Sequence, residues 1–172
     1  TDQNQYLGNP LLKKANVSVE FTKEQIQEYQ KCMGDPVHFI QEHMKIVSLD
    51  EGLVPFKMYD FQQNMVKTFH DNRFTICKLP RQSGKSTTII AYLLHYVLFN
   101  QNVNVAILAN KSSTARDILG RLQLGYENLP KWLQQGVISW NKGSLDLENG
   151  SSILAASTSA SAIRGGSYNI IF

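Results

Sequence analysis

The tripeptide Gly84-Lys85-Ser86 and its two flanking segments constrain the fold more than any other part of the sequence. Residues 74–79 before it are rich in strand-forming side chains and predict a short buried strand. Residues 86–99 after it are mostly apolar and predict a helix. A strand, a loop and a helix in this order direct the free amides of the loop and the helix start towards one point. The sequence therefore predicts a phosphate-binding loop at residues 80–86.

Each residue of the tripeptide suits one part of that chemistry. Gly84 allows the backbone to approach the phosphates, the ammonium of Lys85 reaches the β- and γ-phosphates, and the Ser86 hydroxyl ligates Mg²⁺. The usual pattern, G-x-x-x-x-G-K-S/T, begins with another glycine, and Leu79 stands at that position. The alternative is a surface turn that leads into a helix. The flanking strand and helix favour the phosphate loop, with ATP and Mg²⁺ as its ligands.

The remaining periodicity indicates an α/β fold. A nearly continuous apolar run at 103–109 predicts a second buried strand, and residues 113–128 predict another helix. Continuous apolar strands that alternate with helices are typical of a parallel sheet covered on both faces. Residues 136–157 instead hold three short strands separated by turn sequences at 141–143 and 148–150, which predicts an attached antiparallel meander.

The first part of the chain predicts a small helical subregion. Residues 1–20 show little periodicity and predict an irregular lead-in. Thr22 and Gln25 suit a capping box at the start of a helix over 23–33. The pair Asp35-Pro36, an N-cap residue followed by proline, predicts the start of a second helix.

A turn-rich connection at 48–55 is expected to lead into a third helix at 60–70. We therefore divide the chain into a helical N-terminal subregion, residues 1–55, and a core with the phosphate loop, residues 56–172. The apolar run at 168–172 predicts the beginning of one more buried strand.

Composition narrows the class of protein without naming it. The chain has 172 residues, of which 42% are hydrophobic and 18% charged, as in ordinary globular domains. A net charge of +3 without a run of Lys or Arg permits nucleic-acid binding but does not argue for it. Apolar stretches are too short for a membrane span, and the first residues lack the features of a signal peptide. Cys32 and Cys77 are expected to be two buried thiols.

Several segments together resemble one protein family. The loop Leu79-Pro80-Arg81-Gln82-Ser83-Gly84-Lys85-Ser86 is similar to the variant Walker A loop of large terminase subunits, in which the first glycine is commonly absent. Further similar segments, in matching order, are 35–40, 58–62, 107–111, 140–144, 149–152 and 164–167. Taken together, they resemble the ATPase domain of the large terminase of T-even-type tailed bacteriophages, over roughly residues 35–172.

This resemblance implies a P-loop NTPase fold of the RecA/ASCE kind and a motor that drives double-stranded viral DNA into a procapsid by ATP hydrolysis. It further implies a homo-pentamer at the portal protein, a small terminase subunit as partner, and location in the host cell cytoplasm and transiently at the portal, without secretion or a membrane. Members of the family also carry a C-terminal nuclease domain. Nothing in this sequence corresponds to that domain.

The resemblance also assigns roles to individual residues. Lys85 and Arg81 become the catalytic residues, with Arg81 stabilising charge on the γ-phosphoryl group as an arginine supplied in cis. Judged from spacing alone, Arg81 is equally compatible with a salt bridge to a neighbouring carboxylate. The expected nucleotide-binding residues are Gln62, Pro80, Arg81, Gln82, Ser83, Gly84, Lys85, Ser86 and Thr87, and Ser86 is the expected ligand of Mg²⁺.

A glutamine, a pair of aromatic residues and one short segment keep two interpretations each. Gln62 falls where the family has a glutamine that recognises adenine, although without the resemblance it would be a solvent-facing helix residue. Tyr59 and Phe61 can stack on a base, but aromatics at helical spacing are more often part of a core. The segment Arg164-Gly165 can contact phosphate or form a flexible loop.

The acidic residues that hold Mg²⁺ and orient water in such enzymes are expected after Phe172, beyond the final strand. This chain is therefore expected to bind nucleotide and to hydrolyse it poorly. Two other functions stay open from the sequence: a superfamily 2 type helicase or nucleic-acid translocase, and a nucleotide-dependent scaffold without turnover.

Overall fold

The computed structural model describes residues 3–80, 84–159 and 166–172. The strands in chain order are β1 (Gln5–Tyr6), β2 (Asn9–Lys13), β3 (Lys45–Ser48), β4 (Gly52–Pro55), β5 (Asn104–Ala109), β6 (Val137–Trp140), β7 (Ser144–Leu147), β8 (Ser152–Ser157) and β9 (Ile170–Ile171). The α-helices are α1 (Lys23–Gly34), α2 (Pro36–His43), α3 (Asp60–Asp71), α4 (Lys85–Phe99) and α5 (Ser112–Glu127). One 3₁₀ turn covers Lys131–Leu133.

The centre of the protein is a five-stranded mixed sheet with the order β6-β7-β8-β5-β9. Strand β5 pairs in parallel with β8 on one side and with β9 on the other. Strands β6, β7 and β8 are antiparallel neighbours, which confirms the predicted meander. The sheet is therefore parallel on one side only, and the fold is mixed α/β.

Helix α4 is the central helix of the core. Its buried residues lie on all sides of the helix, because α2, α3, α5 and β5 pack around it. Helix α5 packs on β5 and β8, and its residues Ala115, Leu119 and Leu122 are fully buried. The predicted helices at 86–99 and 113–128 are thus confirmed, each with a start one residue earlier.

Local capping explains why the N-terminal helices begin where they do. The Thr22 hydroxyl accepts a hydrogen bond from the Gln25 amide at 3.2 Å, and the Gln25 side chain accepts one from the Thr22 amide at 3.0 Å. At α2, Asp35 accepts from the His38 amide at 3.1 Å, and Pro36 is the first helical residue. Both predicted helix starts are confirmed.

Two segments that were expected to be irregular form β-hairpins instead. Within the predicted lead-in, β1 and β2 pair around Leu7 and Gly8, which both have positive φ. Within the predicted connection at 48–55, β4 pairs with β3 around a short turn that closes at Gly52. Prediction of these segments as irregular was wrong, because hairpin pairing depends on backbone hydrogen bonds that leave little trace in hydrophobic periodicity.

The strand predicted at 74–79 is not formed. Residues 74–80 have no strand pairing, and Phe74 and Ile76 are 83% and 98% exposed. A strand exists only when its amides and carbonyls pair with a neighbour, and no neighbouring strand is provided by residues 3–80, 84–159 and 166–172. The prediction of two thiols buried in the core also needs correction, since Cys32 is buried but Cys77, in this segment, is exposed.

The N-terminal segment is joined to the sheet region by hydrogen bonds. The Lys13 amide donates to the Gln134 side chain at 3.1 Å, and the Asn16 amide donates to the Glu148 carboxylate at 2.7 Å. The division between residues 1–55 and 56–172 stays a prediction. Across the described ranges, no helix has both the length and the apolar character that a membrane crossing requires.

One buried histidine in α4 makes folding sensitive to pH. His95 is 2% exposed, and its Nε2 lies 2.8 Å from the Cys32 carbonyl oxygen, so the neutral ring donates this hydrogen bond. The pKa of His95 is lowered from 6.5 to about 4, chiefly by burial and to a smaller extent by the neighbouring His70, while the Cys32 hydrogen bond and Asp35 act in the opposite direction. The unfolded chain therefore binds this proton more readily than the folded chain.

We expect the free energy of unfolding to fall by about 3 kcal/mol as the pH drops from 6.5 to 4, because each pKa unit corresponds to about 1.4 kcal/mol. The contribution is fully present above pH 6.5 and is lost between pH 6.5 and 4, where the unfolded chain takes up the proton and the folded chain does not. Urea unfolding at a series of pH values measures the slope. His95→Gln should flatten the slope in this window, whereas His70→Gln, at the exposed ring 6.3 Å away, should keep most of it. Equal slopes in wild type and His95→Gln would contradict the assignment.

Candidate functional site

Gly84 marks the point where the predicted phosphate loop enters a helix. Its φ of +79° lies in the left-handed region, and it is the N-cap residue of α4. Glycine suits this position because other residues pay a steric cost there. The Gly84 carbonyl accepts the first helical hydrogen bond from the Thr88 amide at 3.1 Å and a second from the Thr88 hydroxyl at 2.9 Å. Thr88 thereby fixes the direction of the first turn.

Lys85, Ser86 and Thr87 follow in the first turn of α4 and are all half-buried. The first amides of a helix have no partner within the helix, and the helix dipole gives this end a partial positive charge. Lys85 and Ser86 line the same cavity, whereas Thr87 lies beside a smaller one on the other side. The Lys85 ammonium donates one long hydrogen bond, 3.4 Å, to the Leu79 carbonyl. That contact holds the lysine beside the loop without neutralising its charge.

The cavity beside Lys85 and Ser86 has a volume of about 690 Å³, within the usual range for small-molecule sites. Its walls come from the end of α3, residues 72–77, one side of α4 and the strand β9. Charged groups on the wall include Lys85, Arg73 and Asp71, so the described wall carries more positive than negative charge. Burial, followed by the nearby Tyr96 and Asp71, raises the pKa of the wall residue Tyr92 to about 12, which keeps its hydroxyl neutral.

The extended segment before the loop alternates between solvent and cavity. Phe74 and Ile76 face solvent, whereas Thr75 and Cys77 line the cavity. The Thr75 hydroxyl is buried and has no hydrogen-bond partner among the described residues. With respect to the described residues, this hydroxyl can donate to or accept from a polar ligand at the cavity wall that it shares with Lys85 and Ser86. The sequence predicts a buried strand here and does not single out Thr75.

Gln62 connects helix α3 to the glycine of the loop. It is only 4% exposed, so the interpretation as a solvent-facing residue is wrong. Its Oε1 accepts from the Tyr59 amide at 2.8 Å, and its Nε2 donates to the Gly84 carbonyl at 3.4 Å. A Cβ added to Gly84 would lie 2.7 Å from the same Nε2. The side chain therefore lies directly against the loop, and adenine recognition by Gln62 stays a prediction.

Tyr59 and Phe61 are not core residues, contrary to the expectation from helical spacing. They are 71% and 38% exposed, and their rings stack with centroids 6.1 Å apart and an interplanar angle of 12°. The two rings form an exposed aromatic surface at the start of α3, next to Gln62. Their stacking on a base is untested.

Part of the predicted site lies outside the described residues. Arg81, Gln82 and Ser83 fall there, and so does the segment Arg164-Gly165. Pro80, the last described residue before the loop, is exposed. The structure therefore brings together Gln62, Gly84, Lys85, Ser86 and Thr87 around the start of α4, and the roles of the arginines stay predictions.

Comparison with known proteins identifies the family. Residues 76–172, more than half of the chain, match the family model described as "Terminase large subunit, T4likevirus-type, N-terminal". Among solved structures, the fold is similar to the crystal structure of the HK97 bacteriophage large terminase, with a TM-score of 0.67 and 20% sequence identity. That match covers 81% of this chain and 30% of the HK97 protein, so this chain spans about 30% of its relative's length.

The matched family region contains α4, the central sheet, and the extended segment from Ile76 onwards that leads to the loop. The structural similarity covers a larger share of the chain and supports the same fold. The chain therefore belongs to the family of T4-like-virus-type large terminase subunits, and it matches the N-terminal region of these proteins.

Proposed function

We propose that this chain binds ATP with Mg²⁺ at the start of α4 and forms the ATPase part of a motor that moves double-stranded viral DNA into a procapsid. The observation that carries the proposal is the left-handed Gly84 at the N-cap of α4, followed by Lys85 and Ser86 on the wall of the 690 Å³ cavity. Glycine, lysine and serine at a helix start present amides, an ammonium and a hydroxyl to one anion.

The residues present fit a nucleotide and its metal ion. A triphosphate needs cationic and amide donors, and the start of α4 offers the Lys85 ammonium together with the free amides of its first turn. The close contact between Gly84 and Gln62 leaves no room for a side chain at the glycine, so glycine is required to keep the start of α4 in this position. Mg²⁺ prefers oxygen ligands, and the Ser86 hydroxyl would supply one. Bound Mg²⁺ would neutralise charge on the phosphates.

Within the proposed site, Lys85 would bind the β- and γ-phosphates, and Arg81 would stabilise charge that develops on the γ-phosphoryl group. The loop residues Pro80, Gln82, Ser83 and Gly84, together with Thr87, would surround the phosphates. Gln62 would contact adenine, for which its position against the loop is favourable. The Gln62 amide already has two partners, so this contact would require one of them to be exchanged.

Turnover by this chain alone is proposed to be weak. P-loop enzymes hold Mg²⁺ partly through an acidic residue and use another to position the attacking water. Among the described wall residues of the cavity, only Asp71 carries a carboxylate, and it is the last residue of α3. We therefore expect binding of nucleotide to be easier to detect than its hydrolysis.

The finer class and the partners are proposals for this chain that are based on the family match. They comprise a P-loop NTPase core of the RecA/ASCE kind, double-stranded DNA as cargo, the portal protein and the small terminase subunit as partners, and a homo-pentamer on the portal. The site of action would be the host cytoplasm and, transiently, the procapsid portal. The net charge of +3 is compatible with transient contacts to DNA phosphates.

Titration of the chain with ATP in the presence and absence of Mg²⁺ tests the proposal. We expect Mg²⁺ to strengthen ATP binding, and Ser86→Ala to remove roughly tenfold of that gain because one metal ligand is lost. Ser113→Ala is the matched control, since Ser113 is the second residue of α5 as Ser86 is of α4. Absence of ATP binding, or a Mg²⁺ effect that survives Ser86→Ala unchanged, would refute the proposed role.

A further inference from the structure

A second cluster of reactive side chains lies on the N-terminal helices. Glu28 and Cys32 are four residues apart on α1, which places them on one face of that helix. His38 and His43 lie on α2, which packs against α1. Helix packing thus brings one thiol, two imidazoles and one carboxylate to the same point, and all four ligand atoms lie within 4.8 Å of one another.

One oxygen atom is the centre of this cluster. Glu28 Oε1 lies 2.6 Å from His38 Nε2, 2.9 Å from His43 Nε2 and 3.6 Å from Cys32 Sγ. Three proton donors therefore converge on one carboxylate oxygen. The bridging protons hold the groups together in this state, and a single divalent cation could replace them.

The distances suit a tetrahedral metal ion after a small adjustment. Bonds of about 2.0–2.3 Å to Zn²⁺ place neighbouring ligand atoms roughly 3.3–3.6 Å apart. The Sγ to Oε1 distance of 3.6 Å already lies there, and the two imidazole nitrogens would move away from the carboxylate by less than about 1 Å. The other pairs of ligand atoms lie no more than 4.8 Å apart, so they would approach each other by at most about 1.5 Å.

The chemistry of the four groups favours Zn²⁺ over hard cations. Thiolate and imidazole ligands select Zn²⁺, whereas Mg²⁺ and Ca²⁺ prefer oxygen. Cys32 is fully buried, and the side chains of His38, His43 and Glu28 are 17%, 14% and 31% exposed. The His43 ring is also held edge-on by Trp132, with centroids 5.7 Å apart. A nearly enclosed set of four protein ligands is typical of structural rather than catalytic zinc.

We propose that Glu28, Cys32, His38 and His43 form a structural Zn²⁺ site that fastens α1 to α2. Binding breaks the S–H bond of Cys32, forms the zinc–sulfur bond and releases one proton to solvent. Each neutral imidazole gives up the Nε2 proton that it donates to Glu28 and takes up one proton from solvent at Nδ1, so it ligates through Nε2 without a net change in charge. The carboxylate also binds without a change in charge, and the net release is the one proton of Cys32. The site is separate from the phosphate loop and does not depend on nucleotide binding.

Titration of the metal-free, tag-free chain with Co²⁺, a spectroscopic substitute for Zn²⁺, tests the proposal. We expect one equivalent of Co²⁺ to produce a thiolate-to-cobalt charge-transfer band in the near ultraviolet and the intense visible bands of tetrahedral cobalt. Zn²⁺ should abolish both by displacement. The midpoint temperature of thermal unfolding should rise with Zn²⁺ but not with an equal concentration of Mg²⁺, because Zn²⁺ binds the folded chain.

The two cysteines provide a matched pair of variants. Cys32→Ser should lose the charge-transfer band, and Cys77→Ser, at the exposed cysteine, should retain it. Because Cys32 is buried and its replacement can weaken folding, His43→Gln provides a second test. It should lower zinc affinity by at least the roughly 10–100-fold that loss of an outer-shell partner costs, with an unchanged circular dichroism spectrum.

Three results would overturn the site. One is the absence of any thiolate band at saturating Co²⁺. Another is a band that persists in Cys32→Ser and disappears in Cys77→Ser. The third is equal zinc affinity in wild type and His43→Gln, which would leave the four groups as a hydrogen-bonded cluster around Glu28.

Discussion

Lys85→Ala is expected to weaken ATP binding by roughly 30- to 150-fold, or about 2–3 kcal/mol, because a charge-assisted contact to phosphate is lost. Folding should hardly change. The ammonium is held by one long hydrogen bond of 3.4 Å to the Leu79 carbonyl, and the lysine is only half-buried. Calorimetric titration gives the affinity, and thermal unfolding of the same samples gives the stability.

Lys67→Ala is the control for this variant. It removes the same charge from the exposed surface of α3 and should leave the affinity within about twofold of wild type. Comparable losses in the two variants would mean that overall charge, rather than a shaped site at the start of α4, attracts the nucleotide. A large drop in thermal stability of Lys85→Ala would contradict the view that its charge is kept for a ligand.

Gly84→Ala is expected to abolish measurable ATP binding and to destabilise the fold. A φ of +79° costs an alanine about 1–2 kcal/mol, and the new Cβ would lie 2.7 Å from Gln62 Nε2. Gln62 is buried, and its Oε1 is bonded to the Tyr59 amide, so the amide cannot move away freely. The start of α4 would have to shift, and the amides aimed at the phosphates would move with it.

Gly52→Ala separates backbone strain from the clash. Gly52 has φ +74°, and its added Cβ would meet nothing within 4 Å. We expect Gly84→Ala to cost more stability than Gly52→Ala, and Gln62→Ala to remove the difference when combined with Gly84→Ala. Denaturant unfolding of the single and double variants gives the coupling energy. Equal costs for the two glycine variants would contradict the close contact between Gly84 and Gln62.

Features that depend on local sequence were predicted well. The capping box at Thr22 and the Asp35-Pro36 start use contacts within three residues, so the sequence alone defines them. Helix α4 was evident from its apolar composition, and the meander from its two turn sequences. The glycine, lysine and serine of the loop were evident because phosphate binding requires them directly at the start of the helix.

Features that depend on pairing between distant segments were not predicted from the sequence. Residues 74–79 have strand-forming side chains, but strand formation requires a neighbour, and sequence periodicity does not reveal whether one is present. The β1–β2 hairpin turns through Leu7 at φ 48°, and leucine at a positive φ is uncommon enough to hide the turn. The turn before Gly52 lacks the Asn-Gly or Asp-Gly pair that marks a two-residue hairpin loop.

The candidate site shows the same division. The family resemblance assigned Gln62 to the same nucleotide site as the loop. Only the fold shows that its side-chain amide contacts the Gly84 carbonyl, 22 residues later in the sequence. Thr75 and Arg73 reach the cavity wall because the chain after α3 runs past the start of α4. The cluster of Glu28, Cys32, His38 and His43 likewise depends on how α1 packs on α2, and its ligand spacing alone is not a familiar metal motif.

The central claim is that the first turn of α4 holds the phosphates of ATP, and an amide-resolved NMR titration with Mg²⁺ and a non-hydrolysable ATP analogue tests it most directly. The account predicts the largest shifts at the backbone amides of Gly84, Lys85 and Ser86 and at the side-chain amide of Gln62, with none at Glu28 or Cys32. Shifts confined to other surfaces, or unchanged amides at the start of α4 under saturating analogue, would contradict it.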